Sequence, residues 1–204
     1  MKPLTHTAFA ALFALSSQAN LAYADPLDPN KLYEKFGQTT AEKKIIKESW
    51  DAACNFSGLC KTPESKNGYK QIRTYILNSM MFIELNCSDR PSACMRMASA
   101  YNSDYKSVFI QDNARPDKST EFQSVLVHEF VHAQQEKFSG GFSNVNATCY
   151  NLFNAESTAY NAQNAFLRSK GKKGEEGKIF LTNFQCDSPD FPKLFVANNE
   201  YTKR

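Results

Sequence analysis

The chain has 204 residues, of which 24 are Lys or Arg and 21 are Asp or Glu, so its formal net charge at pH 7 is +3. Because this balance is close to neutral and the chain has no long basic stretch, the sequence gives no support for nucleic acid as a partner. The length suits one domain with a genuine hydrophobic core.

Residues 1–24 have the pattern of a secretory signal peptide. Lys2 precedes an apolar run at 8–15, and the small residues Ala22 and Ala24 flank the end of the segment. The apolar run is too short to span a bilayer, although an uncleaved interfacial anchor is an alternative. We expect cleavage after Ala24, a secreted or periplasmic protein of residues 25–204 forming one domain, and no stable membrane insertion after cleavage.

All six cysteines lie after this leader. An even number of cysteines in an exported chain favours disulfides over free thiols, although the pairing is not fixed by sequence alone. We expect two short local bridges and one long one: Cys54–Cys60, Cys87–Cys94 and Cys149–Cys186.

The first elements after the leader are expected to be helical. Residues 29–36 fit a short helix ending at Gly37. Residues 39–42 form a capping-box pattern, and we expect a second helix to begin there and to continue past Trp50 toward Cys54.

The middle of the chain is less regular. Residues 69–85 have helical spacing, yet 80–85 would also suit a strand, and periodicity does not decide between them. Residues 89–101 are expected to form a capped helix. The run at 106–111 is β-branched and aromatic and is the best candidate for a strand.

Residues 120–141 contain the pattern H-E-x-x-H, as His128, Glu129 and His132, within a strongly helical run. Residues 120–123 form a capping-box pattern, and Gly140 and Gly141 supply a stop. Two histidines four residues apart lie on the same face of a helix, so both can bind one zinc ion, and Glu129 can then reach a water on that ion. A buried helix that happens to carry two histidines is the alternative.

A catalytic zinc site needs a third protein ligand. The only other histidine, His6, lies in the leader, so we expect a carboxylate. Glu136 is on the same helix and cannot complete a tetrahedral set, whereas Glu156 lies on the apolar stripe of a predicted helix at 146–168, where a carboxylate needs a partner. An edge-of-stripe glutamate paired with a surface lysine is the alternative.

The two motifs together resemble zinc metallopeptidases. His128-Glu129-Phe130-Val131-His132 resembles the active-site helix of the zincins, and residues 154–160 resemble the second motif of the gluzincins, whose third ligand is a downstream glutamate. Thermolysin-like members have an aspartate, which orients a ligand histidine, where this chain has Tyr160, and the Tyr160 hydroxyl is a candidate for that bond. The resemblance implies an α+β zincin-like domain in which the strand at 106–111 lies along the cleft and pairs with extended substrate.

The expected function is therefore a secreted or periplasmic zinc metallopeptidase. Zn²⁺ would be held by His128, His132 and Glu156, with Glu129 as general base and a peptide or protein as substrate. The alternatives are a zinc amidase acting on cell-wall peptides and a non-catalytic secreted binding protein that retains the fold.

Overall fold

The computed structural model describes residues 33–87, 97–103, 105–138 and 149–183. These residues form an α+β arrangement of one small mixed sheet with helices packed against it. The elements, in chain order, are β1 (Tyr33–Phe36), α1 (Thr40–Ser57), α2 (Pro63–Lys66), a 3-10 turn (Gly68–Gln71), β2 (Arg73–Leu77), α3 (Ser79–Cys87), β3 (Ser99–Asn102), β4 (Ser107–Gln111), a 3-10 turn (Asp112–Ala114), α4 (Thr120–Phe138), α5 (Cys149–Ser169) and α6 (Lys178–Asn183).

The four strands are arranged in the order β1-β2-β4-β3. β2 and β4 are parallel to each other, while β1 and β3 pair antiparallel on the outer sides. All five residues of β4 are buried, which explains why its apolar residues Val108, Phe109 and Ile110 are consecutive and do not alternate with polar ones. β4 therefore lies in the interior of the sheet and β3 lies at its edge.

Helices α1, α4 and α5 pack against one another, and α4 also contacts β3 and β4. Trp50 of α1 is fully buried, lies edge-on to Phe130 of α4 at 5.3 Å between ring centroids, and donates its indole N–H to the Ser65 carbonyl oxygen at 3.0 Å. A second apolar cluster includes Tyr75, Phe82 and Phe109 and involves β2, α3 and β4. These contacts give α4 a fixed position between the sheet and two long helices.

The predicted capping box of α1 is confirmed. Thr39 Oγ1 accepts the Glu42 N–H at 3.2 Å, and Glu42 Oε2 accepts the backbone N–H groups of Gly37, Gln38 and Thr39 at 3.2, 2.9 and 3.0 Å. Burial by itself raises the pKa of Glu42, but the hydrogen bonds from these donors outweigh it and lower the pKa overall. The helix ends at Gly58, whose φ of 71° is left-handed and whose N–H bonds to the Cys54 oxygen.

Two of the predicted helices are wrong where the structure describes them. Tyr33–Phe36 is strand β1 and not part of a helix at 29–36, and Ser99–Asn102 is strand β3 and not the end of a helix at 89–101. Each segment pairs antiparallel with a strand that is distant in the chain, β1 with β2 and β3 with β4, and the ladder hydrogen bonds from this pairing are not visible in local periodicity. The remaining parts of these predictions, 29–32 and 89–96, lie outside the described residues.

The ambiguous stretch at 69–85 contains both kinds of structure. Its first part forms a 3-10 turn and β2, and its second part belongs to helix α3. Asn78 explains the helix, because its Oδ1 accepts the Met81 N–H at 2.9 Å and its backbone oxygen accepts the Phe82 N–H at 3.0 Å. An asparagine N-cap thus favours a helix where periodicity did not decide.

The cap of α4 lies one residue earlier than predicted. Ser119 Oγ accepts the Phe122 N–H at 3.1 Å, and the Ser119 carbonyl oxygen accepts the Gln123 N–H at 2.9 Å, so Ser119 and not Thr120 is the N-cap. The predicted stop at Gly140 and Gly141 lies outside the described residues.

The disulfide Cys54–Cys60 is confirmed. The other two predicted bridges, like the leader and its cleavage site, lie outside what the structure describes. Within the described ranges, none of the helices combines the length and the apolar character that crossing a bilayer requires.

Candidate metal centre

Helices α4 and α5 bring His128, His132 and Glu156 together. The two histidines approach through their Nε2 atoms at 3.0 Å, and Glu156 Oε2 lies 3.4 Å from His128 Nε2 and 3.9 Å from His132 Nε2. The exposed fractions of the three residues are 4%, 1% and 0%. The small buried side chains of Ala155 and Ala159 beside Glu156 allow α5 to approach α4 closely.

The Glu156 carboxylate has no hydrogen-bond partner among the described residues, although both of its oxygens are buried. A buried carboxylate without a donor is strongly unfavourable unless a cation compensates it. One donor atom from each of Glu156, His128 and His132 lies within 4.8 Å of the others. The group can therefore hold a metal ion, and two imidazole nitrogens with one carboxylate oxygen is a donor set that zinc accepts.

The protonation of the three groups points to the same site for a cation. Burial lowers the pKa of His128, but the Glu156 carboxylate, 3.4 Å from its Nε2, outweighs it and raises the pKa overall. Burial raises the pKa of Glu156, and His128 offsets only part of this rise. Burial, together with the neighbouring His128, holds the pKa of His132 well below its usual range. The two rings and the carboxylate therefore perturb one another's pKa values, as expected of groups at a candidate functional site.

The second ring nitrogen of each histidine contacts a buried glutamine. His128 Nδ1 lies 3.1 Å from Gln163 Oε1, and His132 Nδ1 lies 2.8 Å from Gln135 Oε1. Neither glutamine was identified from the sequence. The available signal was spacing, since Gln135 is three residues after His132 and Gln163 is seven residues after Glu156, which places each amide on the same helix face as a ligand.

Glu129 points to the sheet edge. Its Oε1 accepts the Ser99 hydroxyl at 2.7 Å, and its Oε2 accepts the Tyr101 N–H at 2.7 Å. The Gln111 N–H bonds to the Ala98 oxygen, and residues of an antiparallel ladder alternate, so the Tyr101 N–H points away from β4. Glu129 therefore lies against the outer edge of β3, outside the ligand group, with its negative charge close enough to act on both His128 and Glu156.

The expected role of the strand at 106–111 needs correction. The strand itself exists as β4, but β2 and β3 occupy both of its sides, so its backbone cannot pair with an extended peptide. β3 has the edge position instead. The sequence could not show this, because β3 lies in a segment that was read as a helix.

Tyr160 packs against His128, with 4.5 Å between ring centroids and an angle of 66° between the rings. The hydrogen bond to His128 Nδ1, for which Tyr160 was a candidate, is made by Gln163. On the other side of Tyr160, Gly177 has a φ of 70° and leaves no room for a side chain, since a Cβ there would lie 2.2 Å from Tyr160 Cγ. Contacts with Gly177 and with the His128 ring thus fix the position of the Tyr160 ring.

The segment before α6 is fixed to α5 and is not the free connection that its glycines and lysines suggest. Asn164 Nδ2 donates to the Glu176 oxygen at 2.9 Å, and the Glu176 N–H donates to Asn164 Oδ1 at 2.8 Å. Arg168 Nη1 also donates to the Gly174 oxygen at 3.1 Å. These bonds keep Gly177 against Tyr160.

Glu136 does not join the ligand group. The Tyr101 hydroxyl and the Lys106 ammonium both donate to its carboxylate. A carboxylate with two donors is satisfied, in contrast to Glu156.

Comparisons of the chain with protein-family models, curated proteins and solved structures gave no match. The functional argument therefore rests on the site itself.

Proposed function

We propose that this protein is a zinc-dependent metallopeptidase of the zincin type, with His128, His132 and Glu156 as the zinc ligands and Glu129 as the general base. One observation carries the proposal: the buried Glu156 carboxylate has no hydrogen-bond donor among the described residues and faces the Nε2 atoms of both histidines.

Zinc is the preferred cation because the donor set mixes imidazole and carboxylate. Harder ions such as Mg²⁺ and Ca²⁺ favour sets made only of oxygen. Structural zinc sites usually have four protein ligands, whereas catalytic sites have three and leave one position open. Among the described residues the group has three members, which is the catalytic number.

A zinc ion bound at these three residues would supply Lewis acidity, lowering the pKa of a water molecule and polarising a peptide carbonyl. Glu129 is the residue that accepts the water proton and passes it to the leaving amine. The Ser99 hydroxyl and the Tyr101 N–H fix the orientation of Glu129 but use only part of the acceptor capacity of its two oxygens.

The arrangement of elements supports the zincin assignment. The H-E-x-x-H helix, a second helix with a ligand glutamate and a sheet with an antiparallel edge strand occur together. The edge strand β3 is next to Glu129, which accepts the outward-pointing N–H of Tyr101. The leader pattern and the Cys54–Cys60 disulfide favour a secreted or periplasmic protein.

The test combines metal content with activity. We expect about one zinc per molecule of purified protein and cleavage of members of a peptide library. Glu129→Gln should keep the zinc and lose roughly a thousandfold or more of the hydrolytic rate, because it removes the base and no ligand. The matched control is Glu136→Gln on the same helix, which should change the rate little.

Each competing function gives a different result. Unchanged hydrolysis in Glu129→Gln would remove Glu129 from the mechanism. A zinc-loaded wild-type protein that cleaves no library peptide but cleaves cell-wall peptides would favour the amidase, and one that cleaves neither would favour a binding protein.

A further inference from the structure

Two glutamines, Gln135 and Gln163, contact the histidines of the candidate centre, and each is anchored at its other end. Gln135 Nε2 donates to the Ala155 carbonyl oxygen at 3.0 Å. Gln163 Nε2 donates to Ser124 Oγ at 3.1 Å. Both glutamines are buried, with exposed fractions of 6% and 5%.

The anchor of Gln135 fixes which way its amide points. A carbonyl oxygen can only accept, so the amide NH₂ must face Ala155 and the amide oxygen must face His132. The amide oxygen can also only accept, so His132 Nδ1 must carry a proton. In a neutral imidazole this leaves the lone pair on Nε2, which lies 3.0 Å from His128 Nε2 and 3.9 Å from Glu156 Oε2.

The orientation of the Gln163 amide follows in the same way from its contact with Ser124. The Ser124 hydroxyl donates to the Glu121 carbonyl oxygen at 2.6 Å, so its oxygen is left to accept from the Gln163 NH₂. The Gln163 oxygen then faces His128 Nδ1 and accepts its proton. In both cases the chain of donors ends on a backbone carbonyl oxygen, which can only accept and so sets the direction of the bonds.

We propose that Gln135 and Gln163 are positioning residues that keep the Nε2 atoms of His132 and His128 as the metal-binding nitrogens. The inference rests on the proposed function only in taking a metal to bind at these histidines. Both partners are neutral amides, so they fix the rings without adding negative charge to the centre. Gln135 has a second role, because its bond to Ala155 ties the His132 ring to the residue next to Glu156.

The first test needs neither a metal nor a variant. In the metal-free protein, ¹⁵N NMR of the histidine side chains should show His132 with its proton on Nδ1. A proton on Nε2 of a neutral His132 would overturn the proposal. Since this measurement is independent of metal loading and hydrolysis, it remains decisive if the proposed peptidase activity fails.

The second test uses adjacent buried glutamines of α4. Gln135→Met removes the acceptor from His132, and zinc affinity should fall about 10- to 100-fold. Gln134→Met is the matched control, because Gln134 contacts Ser57 and Cys54 and not a histidine, and it should leave zinc affinity within about twofold of wild type. Equal losses in the two variants would show a general packing effect and overturn the proposal.

The third test asks for rescue at the other histidine. Gln163→Glu keeps an acceptor for His128 Nδ1, and the Ser124 hydroxyl can turn to donate to it, whereas Gln163→Met has no acceptor. Zinc affinity should be retained in Gln163→Glu and fall about 10- to 100-fold in Gln163→Met. Equal affinities in the two variants would contradict the role of Gln163. If zinc affinities follow these expectations but no peptide is cleaved, the positioning role stands and the peptidase assignment fails.

Discussion

Glu156 and Glu136 are buried or half-buried glutamates in neighbouring helices, and their surroundings differ in one decisive respect. Glu136 accepts hydrogen bonds from Tyr101 and Lys106, while Glu156 has two imidazoles and no donor of its own among the described residues. Replacing Glu136 breaks an ion pair and a hydrogen bond near the surface. Replacing Glu156 takes away the only negative charge in the proposed ligand group.

We expect Glu156→Ala to weaken zinc binding on the order of a thousandfold or more, because two imidazoles alone hold zinc poorly. Glu136→Ala should leave zinc affinity nearly unchanged. Competition with a chromogenic chelator measures both. Loss of affinity in Glu136→Ala alone would overturn the ligand assignment, and loss in neither would return Glu156 to a structural role.

The proposed ligands could be predicted from the sequence because their spacing is set by helix geometry. His128 and His132 are one turn apart, and Glu156 interrupts an apolar stripe, where a carboxylate needs a compensating partner. Gln135, Gln163 and Ser99 could not be assigned in the same way. Their roles depend on which helix faces meet and on how β3 approaches Glu129, and these are properties of tertiary packing.

At the level of the elements, the N-terminus of α1 shows how one carboxylate organises a turn. Glu42 Oε2 accepts three successive backbone N–H groups, and the helix dipole also favours a negative charge there. Arg115 is also close, with Nη2 at 3.8 Å from Glu42 Oε1. The turn from β1 into α1 therefore depends on the charged form of Glu42.

We expect Glu42→Gln to lower the free energy of unfolding by about 1 kcal/mol at pH 7, as loss of a capping interaction does. The pKa of Glu42 is lower in the folded protein than its ordinary value of 4.5, so this stabilisation is complete above pH 4.5 and is lost as the pH falls through the lower folded value. Urea unfolding of both proteins at pH 7 and about pH 3 measures the difference.

The control is Glu48→Gln in the same helix. Glu48 is exposed and lies 3.8 Å from Lys44, so its loss should change the free energy of unfolding by less than about 0.5 kcal/mol. A difference between Glu42→Gln and wild type that stays constant from pH 7 to pH 3 would contradict the proposed role of the charge.

The helices could be predicted more fully than the strands, for a physical reason. α1, α4 and α5 are long, and their apolar patterns, together with the caps of α1 and α4, are local signals. β1 and β3 have four residues each and are defined by their pairing with β2 and β4, which are distant in the chain. β4 could be recognised as a strand from its own residues, but its interior place in the sheet depends on those two neighbours.

For the molecule as a whole, the candidate metal centre also connects two helices. α4 supplies two of the proposed ligands and α5 the third, and both helices pack on α1 and belong to the same core. A cation that binds the folded protein and not the unfolded chain adds its binding free energy to the stability of the folded protein.

We expect zinc to raise the Tm of the metal-free protein. With free zinc at about 100 times its Kd, the stabilisation is about 2.7 kcal/mol, which corresponds to roughly 5–10 °C for a domain of this size. Thermal unfolding in the presence of zinc or of a chelator measures the shift.

Glu156→Gln is the informative comparison, because it has nearly the same shape and removes the charge. Its Tm should respond little to zinc, and its metal-free form should be at least as stable as metal-free wild type, since no buried carboxylate remains uncompensated. A wild-type Tm that ignores zinc and every other divalent cation would argue against a metal centre.

The solitary position of Glu156 also bears on how much of this protein a cell contains. A chain that folds around an uncompensated buried charge opens more often, and proteases remove the open form. Scarcity of the metal should therefore lower the abundance of the protein as well as the activity of each molecule.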